Sequence, residues 1–181
     1  VNVAPGTSVD LKLSLRDPAT DRPMMVQELL LYFYDLDQEL DGKSRSGVSP
    51  LGFEGFYTPT SSQMVKTQDV QNNRWWFISS KYTPEVPSPT DWENVSPQQK
   101  DQTVELRYIN VDQINVQLKV TPGLKGHDFL FMVVTCVRCA TTTTPFQPLT
   151  TRPAFDCNAA YANWKQAWAP LKAEWCCKNA G

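Results

Sequence analysis

The sequence holds little of what catalytic motifs are made from. There is one histidine, His127, in 181 residues. A single histidine excludes an H-E-x-x-H zinc helix, which needs two. No G-x-S-x-G elbow and no phosphate-cradling glycine loop is present. No block of Lys and Arg stands out either: 17 basic residues face 19 acidic ones, both signs scattered, for a net charge of −2. Nucleic-acid binding needs clustered positive charge and is not indicated. The longest apolar run, residues 129–134, falls far short of the roughly 20 residues that cross a bilayer as a helix. Long helical periodicity is missing from the first 145 residues, which argues against alternating strands and helices.

What is present is period-two patterning in a composition of ordinary globular type, 41% apolar and 20% charged. Val9, Leu11, Leu13 and Leu15 alternate with Asp10, Lys12 and Ser14, the mark of a strand with one buried face. Residues 29–34 form a continuous apolar and aromatic run, expected of a central strand covered on both sides. Residues 53–57, 63–70 and 74–80 are shorter candidates. Pro84, Pro87 and Pro89 interrupt them, and the polar stretch 91–101 has room for one helical turn. Residues 103–109 and 113–120 read as an antiparallel pair about Asn110-Val111-Asp112, and 129–135 as a last buried strand. Seven or eight short strands parted by turn residues predict a mainly β fold, an antiparallel β-sandwich of jelly-roll-like form.

The composition changes after Ala140, which divides the chain into a β domain (1–140), a Thr/Pro-rich linker (141–154) and a Cys/Trp-rich module (155–181). In the last, Tyr161, Trp164, Trp168, Leu171 and Trp175 recur at spacings of 3, 4, 3 and 4, one face of a helix. Pro170 breaks that helix or starts a second. Such a stripe is a packing surface, for the flank of the β domain or for another subunit. The chain opens without an initiator Met and closes on 176–181 as if cut, so the sequence is expected to be a piece of a longer chain.

All five cysteines, Cys136, Cys139, Cys157, Cys176 and Cys177, lie in the last quarter. Their crowding predicts a local disulfide framework and an oxidising compartment, so a secreted or cell-surface setting. The odd count leaves one whose partner would lie beyond the chain end or on another chain. Cys176 and Cys177 cannot pair with each other, because adjacent Cα atoms sit about 3.8 Å apart. One of them is expected to take Cys157, closing a loop worth roughly 3 kcal/mol in the chain-entropy model. Cys136 and Cys139 cannot bridge along an extended strand, so the chain turns between them or each pairs elsewhere. A redox CxxC would need a helix where Thr141 to Pro145 stand, and a zinc site would need a second CxxC or a histidine pair.

Three further features invite a site reading. Asp35, Asp37, Glu39 and Asp41 place four carboxylates at alternate positions, the oxygen-rich chemistry that suits Ca²⁺. With Asp37 as position 1, Gly42 falls correctly at position 6, but Val48 stands where an EF-hand has its terminal Glu. The bland alternative is a solvated acidic turn ending a strand. Trp75 and Trp76 are neighbours in a strand and face opposite sides. One of them, with Trp92, Tyr57 or Tyr82, could offer an aromatic platform to a sugar ring, against the alternative of core packing. Asn94-Val95-Ser96 is a formal N-glycosylation sequon, made poorer by Pro97.

The tail pattern Asp156-Cys157, Asn163-Trp164, Trp168 and Trp175-Cys176-Cys177 resembles a Cys/Trp module repeated in secreted or surface proteins of dinoflagellate algae. That module continues into Gly-x-Gly-Cys, which here would fall beyond Gly181. Phe33-Tyr34-Asp35-Leu36-Asp37 is similar to a segment of algal surface domains. The resemblance covers about 23 tail residues tightly and the rest loosely. It implies a surface setting and no reaction. Together these features predict a non-catalytic structural or assembly module, partnered by other protein chains or further domains and not inserted in a membrane. The alternative is a carbohydrate-binding module with a structural calcium ion. A glycosidase built on two carboxylates needs no local spacing and stays open at this stage.

Overall fold

The structure, a computed structural model, describes residues 1–69, 71–72, 74–82, 86–91, 94–136 and 147–148. It is mainly β, and its sheets are antiparallel. In chain order the elements are β1 (Asn2–Val3), β2 (Ser8–Ser14), β3 (Val26–Tyr34), β4 (Ser46–Leu51), β5 (Gly55–Tyr57), β6 (Met64–Asp69) and β7 (Arg74–Ser79). There follow α1 (Pro97–Asp101), β8 (Val104–Val111), β9 (Gln113–Val120), β10 (His127–Asp128), β11 (Leu130–Cys136) and β12 (Gln147–Pro148). One five-stranded sheet runs β2-β9-β4-β7-β6, the other β11-β3-β8-β5-β12, and β1 pairs with β10.

Alternation explains how the two large sheets share a core. On β9, Ile114, Val116, Leu118 and Val120 are all buried, with Val48 of β4 in register with Leu118. On the other sheet Leu29, Leu31 and Phe33 of β3 stand beside Tyr108, Leu106 and Val104 of β8, and all six are buried. These rows belong to one cluster. Phe56 of β5 meets Phe77 of β7 edge-on at 5.0 Å between ring centres, an aromatic contact from one sheet to the other. The apolar run at 29–34 is thus a central strand buried on both faces, as its composition predicts.

One expectation about pairing needs correction. Residues 103–109 and 113–120 do form strands, but β8 and β9 belong to different sheets and do not pair. Asn110 takes a left-handed backbone (φ 51°) and the Asp112 carbonyl accepts the Leu15 N–H at 2.8 Å, turning the chain from one layer to the other. Both strands carry a full apolar row. A corner lets the two rows face each other across the core, and each strand finds two other neighbours for its backbone. A strand that the pattern does not announce is β4. Its sequence, Ser-Gly-Val-Ser-Pro-Leu, has no apolar alternation, yet it lies between β9 and β7. Gly47 is needed there, because a Cβ would stand 2.9 Å from Ile78 Cγ1. Pro50 pairs only with Val116, where β7 no longer runs alongside and its missing N–H costs no ladder bond.

The helical turn foreseen within 91–101 is α1. Ser96 caps it, its hydroxyl accepting from Gln99 N while Gln99 Oε1 accepts from Ser96 N. Gln147 and Pro148, inside the stretch read as linker, form β12 against β5. The rest of that linker and the whole of module 155–181, with Cys157, Cys176, Cys177 and the Tyr161–Trp175 stripe, lie outside the described residues.

Candidate functional site

The acidic loop follows β3, and its four carboxylates take four separate places. Asp35, in a left-handed conformation (φ 58°), accepts the Ser88 hydroxyl at 2.5 Å, and burial pushes its carboxyl above the usual range. Asp37 Oδ1 lies 3.3 Å from His127 Nδ1, and its carbonyl accepts Ser46 and Ser79. Glu39 reaches Lys125 Nζ at 3.6 Å. Asp41 accepts from the backbone N–H of Lys43 and Ser44 at 2.8 Å each, from the Ser44 hydroxyl at 2.8 Å, and from Leu124 N at 2.7 Å. Those backbone N–H groups, Ser44 and Leu124 foremost, hold its pKa well below the usual carboxylate range. Among the described residues no three His, Cys, Asp or Glu side chains converge as a metal site would require. Hydrogen bonds from Leu124 N to Asp41 and from Lys125 N to Ser44 Oγ tie this loop to its neighbour. The turn at Gly123 comes so close that a Cβ there would stand 1.9 Å from Ser44 Oγ.

The tryptophan pair divides as strand geometry requires. Trp75 points inward onto Phe56 and Phe77, with ring centres 5.8 and 6.3 Å away. Trp76 points outward, and Lys119 Nζ lies 5.3 Å from the centre of its ring. Tyr57 is on the outer face of the opposite sheet, so it joins neither tryptophan in a common platform. Trp92 and Cys139 lie outside the described residues, as does the side chain of Cys136, whose backbone ends β11. Asn94 is exposed and donates to Asp91 Oδ2 at 2.6 Å, and the third sequon residue, Ser96, is engaged as the α1 cap.

A more organised feature sits on the outer face of β11-β3-β8-β5-β12. Tyr32 and Tyr34, two apart on β3, point to the same side, their rings nearly parallel (9°) and 5.9 Å apart. Register sets Tyr32 opposite Glu105 of β8, and Glu105 opposite Tyr57 of β5. These side chains line a cavity of about 280 Å³ together with Pro59, Val95, Lys100 and Thr103. Glu105 is only 8% exposed and accepts a hydrogen bond from Tyr32. Burial raises the pKa of Glu105, and it raises those of Tyr32 and Tyr34, with the Glu105 charge adding to both. A second cavity of about 190 Å³ opens on the other side of Tyr34, between Pro89, Thr90, Leu130 and Met132. The signal for this site was an aromatic pair at i and i+2 with a phenol on each ring. Inside so apolar a run it reads as core.

The same sheet ends in β11, whose sequence Leu-Phe-Met-Val-Val-Thr-Cys has no charge, Pro or Gly. Among the described residues β11 pairs on one side only, with β3. The strand read as buried at 129–135 is therefore an edge, with Leu130 40% and Val133 36% exposed, because no described strand covers its outer side. Comparison with protein-family models, with curated proteins and with solved structures finds no match to this chain. Among the described residues no helix is long and apolar enough to cross a membrane.

Proposed function

We propose that this chain is a non-catalytic assembly module of an extracellular or cell-surface protein. In this reading the two large sheets form a jelly-roll-like β-sandwich, followed by a short disulfide-braced helical tail. The observation that carries it is the uncharged edge of β11. A long apolar edge strand exposes a row of unpaired N–H and C=O groups and is a template for another strand. Proteins that stay monomeric blunt such edges with charge. Here the other two long edge strands follow that rule: β2 carries Asp10 and Lys12, and β6 carries Lys66 and Asp69. The exception at β11 continues onto an apolar outer face of Leu30, Met132 and Val134. A strand from another chain at β11 would satisfy the backbone and bury this face together. The aromatic stripe at 161–175 supplies a second apolar surface for the same assembly, and the cysteines fit an oxidising compartment.

Light scattering coupled to size exclusion, on the full chain with its thiols oxidised, tests this. Concentration-dependent oligomers that dissociate when Thr135, exposed on β11, is changed to Lys are the expected result. A parent protein that stays monomeric at every concentration, with no protection of β11 amides from hydrogen exchange, would sink the proposal.

A further inference from the structure

We infer that the cavity lined by Tyr32, Tyr34, Tyr57, Lys100 and Glu105 is a binding site for one neutral pyranose ring, independent of the assembly at β11. Three observations point to that ligand class. First, the wall is aromatic: three tyrosines converge from β3 and β5, with Tyr34 stacked behind Tyr32 at 5.9 Å between ring centres. The C–H face of a sugar packs against such rings while its hydroxyl edge stays polar. Second, the polar groups come as a balanced pair. Glu105 supplies acceptors from the floor, and Lys100, exposed on α1, supplies donors from the rim. A site for an organic cation would keep the carboxylate and the rings but not a lysine beside them. A site for an anion would not place a carboxylate at its base. A polyhydroxylated neutral molecule uses both, each hydroxyl donating to one group and accepting from the other. Third, about 280 Å³ lies at the small end of ligand pockets, room for one ring rather than a chain.

The cavity is also held in place. Tyr32, Glu105 and Tyr57 are locked side by side by strand register. The backbone of α1, which carries Lys100, is held by its capping box and by the Gln99 side chain, whose Nε2 donates to the Pro87 carbonyl at 2.8 Å. This preorganisation lowers the ordering cost that limits weak ligands.

The test is NMR of the full chain with its tyrosine rings labelled, titrated with methyl pyranosides of glucose, galactose, mannose and xylose. Concentrations should reach about 50 mM, because a single ring with a few hydrogen bonds binds in the millimolar range. Saturable shifts at Tyr32, Tyr34 and Tyr57 with at least one pyranoside are expected. Glu105→Gln and Lys100→Met should each weaken that binding about fivefold or more, and Trp76→Ala should leave it unchanged. Lys100 is exposed, so its variant folds even where the Glu105 variant does not, and it then decides the matter alone. No saturation with any pyranoside would overturn the inference. So would stronger shifts at these rings with tetramethylammonium or inorganic phosphate, or an affinity indifferent to Lys100→Met.

Discussion

The outer faces of the two large sheets are made from similarly alternating strands and differ sharply in chemistry. On β2-β9-β4-β7-β6 a polar ladder runs beside outward Trp76 and the exposed Val65 and Leu51. Gln117 of β9 donates to Asp10 of β2 at 3.0 Å and accepts at 2.7 Å from Arg74 of β7, which reaches across β4. On β11-β3-β8-β5-β12 the outward residues are Leu30, Tyr32, Tyr34, Met132 and Val134, relieved by Glu105 and by the Arg107–Glu28 pair at 2.6 Å. The second face is already covered at Leu30 and Tyr34, 7% and 5% exposed, and leaves its exposed apolar area at the β11 edge, where Leu130 is 40% exposed; covering that edge gains roughly 25 cal/mol per Å² removed from water. The contrast is sharpest at the edges, where β2 and β6 carry charge and β11 carries none.

Truncation should show the largest difference. Leu30→Ala removes a side chain that is 7% exposed on the second face and should cost about 2–5 kcal/mol. Gln117→Ala cuts the ladder of the first and should cost about 1.5 kcal/mol or less. Equal shifts in guanidinium midpoint would break the comparison. Next comes one substitution at two edges. Thr135→Lys on β11 should weaken self-association at least about tenfold, some 1.4 kcal/mol, while Thr67→Lys on the already charged β6 should leave it alone. Light scattering across a dilution series reads both.

The smallest effects concern pH and have opposite signs. Glu105 has a raised pKa in the folded state, so the native protein holds its proton more tightly than the unfolded chain. Its charge costs stability as pH climbs from the unfolded value of about 4.3 through the folded one. Glu105→Gln should therefore raise the urea midpoint at pH 7, with the gain fading as pH falls below about 4. Asp41 is depressed, so it stabilises above its unfolded pKa of about 3.9 and that contribution disappears as pH falls through the folded value. Asp41→Asn should lower the midpoint at pH 7 and converge on the parent in acid. Both variants trending the same way with pH would contradict the assigned environments.

How much of this could be read beforehand depended on whether a residue's role is local. Val9, Leu11 and Leu13, and likewise Ile114 to Val120, announce a strand with one buried face, because alternation is a property of neighbours in sequence. Residues 29–34 announced a central strand for the same reason. Gly47, Ser49 and Pro50 announced nothing, since what makes β4 a strand is the close approach of Ile78 and the open ladder of β9. Tyr32 and Tyr34 were legible as apolar. Their place in a cavity was not, because that depends on Glu105 and Tyr57 arriving at the same height from two other strands.

Composition and period alone thus establish a mainly β, antiparallel chain with room for a helical turn within 91–101. Which sheet receives β8 and which β9, where the carboxylates of 35–41 find partners, and which face stays apolar were decided by tertiary packing. Side-chain alternation records only that a residue faces in or out. Partner strands and register are set by contacts between residues far apart in sequence, each paid in loop closure and returned in buried area.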